Sequence, residues 1–322
     1  MTAGAPSLRI ASRGSALALW QAHAVRDALI RADPDLAVEI KVIRTTGDRV
    51  TDVPLSQIGD RGLFTKEIDG AVLDGVADVA VHSLKDVPTA ITDDLALVAV
   101  TRREDPRDVL ICGPGAVFSL ESLPAGARIG TGSLRRRAQL RARRPDLAVE
   151  DLRGNLNTRL ARLDQGDYDA ILLAAAGVIR LGWQDRVSEW LDPAEWLPAV
   201  GQGALAIVAR ADDARTAERV APLHHVETGC AVAAERSLLR DLEGGCQIPI
   251  GGLATVSDDT MRLAGLVADL EGKRVLRHEL EGPLTEPERL GHRVAASLRE
   301  KGAQAILDEI RAAGAIMPAP AP

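Results

Sequence analysis

The chain has 322 residues and a formal charge of −7, with 46% apolar and 26% charged residues. That length exceeds one ordinary core and suits two or three domains of about 100 residues each, with the composition of a globular protein in water. No run approaches a membrane span, and the start Met1–Ile10 lacks both a basic n-region and an apolar h-region. The three cysteines, Cys112, Cys230 and Cys246, are too scattered for a disulfide framework or a metal site, so a reducing cytosol is expected. Two Phe, four Trp and one Tyr leave the cores to Leu, Val, Ile and Ala.

Taken in order, Leu8–Ser12 reads as a buried strand, and Arg13-Gly14-Ser15 as the turn that caps a helix reaching about Ile30. A half-buried strand follows at Val38–Arg44. The loop 47–62 is rich in Asp, Gly and Thr and ends in Arg61-Gly62-Leu63-Phe64; it is read either as a lid over a site or as a solvated loop. A helix from Thr65 to Leu73 and a strand Ala77–His82 lead into Ser83-Leu84-Lys85-Asp86-Val87-Pro88. Pro88 closes that segment, holding a Lys and an Asp at a strand terminus, the edge where open α/β sheets bind ligands. A surface ion pair there would contribute less than about 1 kcal/mol, which weakens a purely structural reading.

The strand Leu95–Thr101 ends in the charged break Arg102–Asp108, read as a crossing into a second lobe. Cys112 closes the apolar run Val109-Leu110-Ile111, where burial keeps a thiol inert. The α/β pattern then restarts: strand Arg128–Thr131, a turn at Gly132, and Ser133 capping a helix with Arg135, Arg136, Arg137, Arg141, Arg143 and Arg144. Strand Leu147–Leu152, the turn Arg153-Gly154-Asn155, a helix with Arg159 and Arg162, and strand Asp169–Ala174 follow. Two successive strand-to-helix turns thus offer backbone N–H groups and guanidinium groups to an anion. Arg135, Arg136, Arg153 and Arg159, near the helix starts, are read as anion ligands; Arg137, Arg141, Arg143 and Arg144 as a solvated helix face.

After a Gly/Trp/Pro-rich passage, Val200–Ala204 looks like the return crossing into strand Leu205–Arg210. Helix Glu227–Leu242 leads to Glu243-Gly244-Gly245-Cys246-Gln247-Ile248-Pro249, where glycines and a proline exclude regular structure around one cysteine. Cys246 is either a presented thiol or a turn residue on this evidence. Strands Gly251–Val256, Met261–Asp269 and Lys273–Glu281, helices Glu286–Glu300 and Gln304–Ala312, and a Pro/Ala tail from Ala315 complete the chain. The expected architecture is two periplasmic-binding-protein-like α/β lobes with a cleft between them (1–102 with 203–221, and 103–202) and a C-terminal α+β domain, 222–322.

Eight stretches resemble the porphobilinogen deaminase (hydroxymethylbilane synthase) family: Ala18–Ala22, Gly62-Leu63-Phe64, His82–Pro88, Arg103–Asp108, Gly130–Arg136, Leu152–Asn155, Leu197–Gly203 and Glu243–Gly251. They keep the family's order over nearly the whole chain. Many members carry two serines where this chain has Gly132-Ser133, and a lysine in place of Arg61; the first departure removes a hydroxyl donor and the second alters the grip of the loop. The resemblance implies that Cys246 holds a dipyrromethane cofactor through a thioether, that four porphobilinogens are added with loss of ammonia, and that linear hydroxymethylbilane is released. It implies Asp86 as the catalytic carboxylate, and Ser83, Lys85, Thr131, Ser133, Arg135, Arg136 and Arg153 as cofactor ligands. Arg13, Arg153, Arg159, Phe64 and Gln202 would meet the substrate. A monomer acting on a small molecule, with no metal, membrane or nucleic-acid partner, is expected. Among rival readings, a two-lobed small-anion binder fits the cleft and arginines, a nucleic-acid binder is opposed by the charge and few aromatics, and a Schiff-base Lys85 lacks the accompanying motif.

Overall fold

In the first lobe a helix starts where the chain can satisfy its own free N–H groups. Ser15 caps α1 (Ala16–Ala32), its hydroxyl accepting from the Ala18 N–H at 3.4 Å, and α1 returns the chain to a parallel neighbour. The computed structural model describes residues 7–45, 65–242 and 248–313. Loop 47–62, Arg61, Phe64, Cys246 and the tail from Ala315 lie outside them.

The first sheet contains β1 (Ser7–Arg13), β2 (Ala37–Ile43), β3 (Val79–Ser83), β4 (Leu95–Val100) and β10 (Leu205–Arg210), in the order β2-β1-β3-β10-β4. β10 runs antiparallel to both neighbours, with Leu205 opposite Ser83. The second sheet holds β5 (Asp108–Cys112), β6 (Arg128–Gly130), β7 (Ala148–Glu150), β8 (Ala170–Ala174) and β9 (Glu189–Trp190), in the order β7-β6-β8-β5-β9. β5 is its antiparallel member, with Asp108 opposite Ala174. Each sheet therefore receives its crossing strand at the edge where its parallel strands end. Thr101 and Glu104 donate to Leu205 O at 3.1 Å and Gly203 O at 3.1 Å, so the two crossings run side by side. A Cβ on Gly203, at φ +94°, would lie 2.3 Å from Glu104 O, which leaves glycine as the residue that fits.

Helices α2 (Lys66–Leu73), α3 (Leu134–Arg143), α4 (Leu156–Asp164), α5 (Ala175–Arg180) and α6 (Ala214–Val220) belong with these sheets. The chain then forms α7 (Val226–Asp241) and a three-stranded antiparallel sheet, β11 (Ile250–Ser257), β12 (Thr260–Ala268) and β13 (Val275–Pro283). Two helices close it, α8 (Pro287–Glu300) and α9 (Ala303–Ala312). Leu238, Leu263, Val267, Val294 and Leu298 are buried together in its core, where apolar area removed from water stabilises at roughly 25 cal/mol per Å².

Four elements were not anticipated. Val109–Cys112 was read as a buried run, and forms strand β5 with Cys112 4% exposed. β9 has two residues and α5 six, too short for a period to register. α6 is a polar seven-residue helix whose start is set by Asp213 accepting from the Thr216 N–H at 3.0 Å.

Candidate active site

β3 ends at Ser83, and residues 84–86 form one turn of 3-10 helix that carries Lys85 and Asp86. Leu84 N–H donates to Ala204 O at 3.0 Å and Val87 N–H to Leu84 O at 3.1 Å, so the turn is tied to the return crossing and closed on itself. Gly201, at φ +72°, stands directly beneath it: a Cβ there would lie 2.3 Å from Leu84 Cδ2. Ser83 Oγ accepts from Gln21 Nε2 at 2.8 Å, and Lys85 Nζ donates to Gln202 Oε1 at 3.3 Å. Desolvation is the largest influence on Lys85; with Arg136 and Arg135 also disfavouring the ammonium and Asp86 and Asp108 favouring it, its pKa is pushed down to about 8.

Across the cleft, Ser133 caps α3 by accepting from the Arg136 N–H at 3.4 Å, and Asn155 caps α4 by accepting from the Thr158 N–H at 3.0 Å. The caps are those expected, but the donors beside them are partly spent. Thr131 N–H pairs with Glu150 O at 2.9 Å and Ser133 N–H with Thr131 Oγ1 at 3.3 Å. Thr131 and Ser133 therefore shape the turn, and their N–H groups are already engaged.

Two of the arginines near the helix start have partners within the protein. Arg135 donates to Asp108 Oδ2 and Leu197 O, both at 2.7 Å, while Arg136 donates to Asp108 Oδ1 at 2.7 Å and Leu172 O at 2.9 Å. Trp196 Nε1 at 2.8 Å and Gln202 Nε2 at 2.8 Å complete the shell of Asp108. All five side chains are buried. Burial pushes the Asp108 carboxyl up, but Arg135 and Arg136 outweigh it and hold the group well below the usual carboxylate range. Arg135 is thus turned to an internal ion pair, and Arg136 has both terminal nitrogens engaged while its buried Nε has no partner among the described residues. Gln202, which the resemblance assigns to the substrate, is buried between the two crossings, donating also to Pro106 O at 2.7 Å and Arg107 O at 3.1 Å.

Arg153 is different. Its Nε and one terminal nitrogen are buried and have no hydrogen-bond partner among the described residues, a state that costs free energy unless a ligand supplies acceptors. Desolvation pulls its pKa down, opposed by Asp151. Arg159 Nε donates to Gly154 O at 2.8 Å, and desolvation, then Arg136 and Arg153, push its pKa down to about 10 against the pull of Asp86. Asp86, Arg136 and Arg153 therefore all act electrostatically on Arg159, Asp86 from the first lobe and the two guanidinium groups from the second. Arg13 stands at the end of β1, beside the end of β3.

The helix face read as solvated is more engaged than expected. Arg137 pairs with Asp151 at 2.8 Å and Arg141 with Glu271 at 2.6 Å; Arg143 pairs with Glu195. Arg144 donates to Leu120 O at 2.6 Å, Leu123 O at 2.7 Å and Asp146 Oδ2 at 2.7 Å. Asp108 and Gln21 lie within the family-like stretches Arg103–Asp108 and Ala18–Ala22, and their residue types alone point to no role. Glu235, buried at 0% exposure, was missed: it takes both terminal nitrogens of Arg103 at 2.7 and 2.8 Å. A carboxylate closing the apolar run Ala231–Ala234, three residues before Leu238 on the same helix, is the available signal.

Comparison with known sequences decides the family. Residues 8–218 match the model described as "Porphobilinogen deaminase, dipyromethane cofactor binding domain", and residues 229–300 match "Porphobilinogen deaminase, C-terminal domain". The chain belongs to the porphobilinogen deaminase family. A curated relative named porphobilinogen deaminase, from Syntrophobacter fumaroxidans, is 50% identical over 303 residues, covering 94% of this chain and 97% of that one. Among solved structures, the methionine-binding protein MetQ is 12% identical, covers 67% of this chain and 89% of its own, and has a TM-score of 0.44. The aliphatic sulphonate binding protein SsuA from Escherichia coli is 13% identical, with coverage of 74% and 70% and a TM-score of 0.39. Nothing about ligands is carried over from these two. For a porphobilinogen deaminase the cofactor is dipyrromethane, and the buried, unpartnered donors of Arg153 fit a group that brings carboxylates.

Proposed function

We propose that the chain is a transferase that joins four porphobilinogen molecules head to tail onto a dipyrromethane carried covalently by Cys246, releasing ammonia and, after hydrolysis, linear hydroxymethylbilane. The observation that carries this reading is the pair of buried Arg153 donors that have no partner among the described residues, together with the electrostatic pull of Asp86, from the other lobe, on Arg159. In this reading 1–102 with 203–221 form the catalytic lobe, 103–202 the carboxylate-binding lobe and 222–322 the cofactor domain, and the protein works as a monomer in the cytoplasm. No helix among the described residues is long and apolar enough to cross a membrane.

When bound, the dipyrromethane supplies the pyrrole that is extended. The chain's own residues supply charge and geometry. Arg153, Arg159 and Arg13 neutralise the acetate and propionate groups that each pyrrole brings, because a planar guanidinium meets a carboxylate through two parallel bonds, and Arg136 adds its charge nearby. The Asp86 side chain holds the substrate ammonium and offsets the cationic azafulvene left when ammonia departs. It then accepts or relays the α-proton of the attacking pyrrole. Lys85 adds a nearby cation. Ser83, Thr131 and Ser133 hold the turns, and Phe64 is assigned to the substrate through the family motif alone.

Intact-mass measurement tests the reading. Protein made in cells should exceed its sequence mass by two porphobilinogens less two ammonias, unchanged by dithiothreitol because a thioether resists thiol exchange, with the adduct on the peptide containing Cys246. Asp86→Asn should keep that mass and lose about two to four orders of magnitude in rate. A bare mass in protein that still consumes porphobilinogen, or near-wild-type turnover in Asp86→Asn, contradicts it.

A further inference from the structure

Three contacts converge on the turn that carries Asp86, and all come from α7. Val232 packs in one buried cluster with Leu84 and Val87, the apolar residues on either side of Lys85-Asp86. One helical turn later on the same face, the Arg236 guanidinium donates to Val87 O at 3.1 Å, Pro88 O at 2.7 Å and Thr89 O at 3.2 Å. Glu235 beside it accepts from the Gly201 N–H at 2.7 Å, and Gly201 is the residue pressed against Leu84.

The three carbonyls that Arg236 gathers belong to consecutive residues outside any helix or strand, and no described backbone N–H donates to them. Pro88 cannot extend the 3-10 turn, and its predecessor Val87 is extended at φ −84°, ψ 124°. Local backbone bonding therefore stops at Val87, one residue past Asp86, and the direction in which the chain leaves is set by a side chain from another part of the molecule. We infer that Arg236 is a positioning residue for the reaction: by gathering the carbonyls of residues 87–89 it fixes the exit of the turn and so the placement of the Asp86 carboxylate.

Displacement of a catalytic group by about 1 Å is enough to cost up to two orders of magnitude in rate. The inference rests on the role given to Asp86 under the proposed function, and the experiment separates the two. Holoenzyme carrying Arg236→Gln should keep its covalent cofactor by intact mass and its KM for porphobilinogen within about twofold, while kcat falls about tenfold or more. Arg236→Lys, which keeps the charge but cannot span three carbonyls, should lie between, and serves as the test if the Gln variant folds poorly. In an Asp86→Glu background, where the carboxylate is already displaced, Arg236→Gln should cost less than it does alone. A lowered Tm with unchanged kcat in both Arg236 variants, or full additivity with Asp86→Glu, overturns the inference and leaves Arg236 as a structural clamp. Near-wild-type turnover in Asp86→Asn instead removes the reading of Asp86 itself.

Discussion

Lys85 Nζ donates to Gln202 Oε1 at 3.3 Å, and the other end of the same amide donates to Asp108 Oδ1 at 2.8 Å. One side chain from the return crossing thereby connects the Lys85-Asp86 turn of the first lobe to the buried carboxylate that anchors Arg135 and Arg136 in the second. A substrate carboxylate bound by the guanidinium groups of Arg153 and Arg159 would sit in the field of this connected set, which makes the ionisation of Lys85 a measurable part of binding.

The first prediction follows from the Lys85 pKa of about 8, lowered from 10.5. Between these values the unfolded chain binds the proton that the folded chain has released, so stability rises with pH across that window. Binding has the opposite sign, because the ammonium that attracts a carboxylate disappears above about 8. Hence kcat/KM should decline above pH 8 while Tm, relative to Lys85→Met, improves. Lys85→Arg, which stays charged, should lack the alkaline decline; an identical pH profile in that variant would detach Lys85 from substrate binding.

Asp108→Asn tests the buried node. It removes the one carboxylate between Arg135 and Arg136 and leaves two guanidinium groups buried without an anion, a loss of about 3–5 kcal/mol. Chemical denaturation should show a lower midpoint with little change in slope. Because the Asp108 carboxyl is held below its ordinary range, the stability it provides is present above the unfolded carboxylate pKa and lost as pH falls through the folded one. The variant should therefore show a weaker acid dependence than the parent.

The arginines should separate in a way their spacing along the chain does not indicate. Arg153→Leu should fold and yet lack the covalent cofactor by mass, since its buried Nε and one terminal nitrogen have no acceptor to lose among the described residues. Arg143→Leu breaks one exposed pair with Glu195 and should change stability by less than about 1 kcal/mol. Arg144→Leu strips donors from Leu120 O and Leu123 O and should cost roughly 1–3 kcal/mol without touching cofactor content. Equal cofactor loss in all three would contradict the assignment.

What could be read along the chain was whatever is decided within a few residues. Ser15, Ser133 and Asn155 announced helix starts because a capping oxygen meets an N–H three residues on, and alternating α/β patterns marked two lobes and a different C-terminal unit. Family-like stretches marked Asp86 and Cys246 by residue type and order. Only the tertiary structure decided where the arginines point. Asp108 lies 27 and 28 residues before Arg135 and Arg136, 88 before Trp196 and 94 before Gln202; nothing local says that one carboxylate will gather all four. The clasp of Arg236 on residues 87–89 spans 149 to 147 positions and has no local signature at all. A cap is a contact between neighbours along the chain, so its residues declare it; a buried ion pair between segments far apart in sequence exists only once the sheet has closed and brought them together.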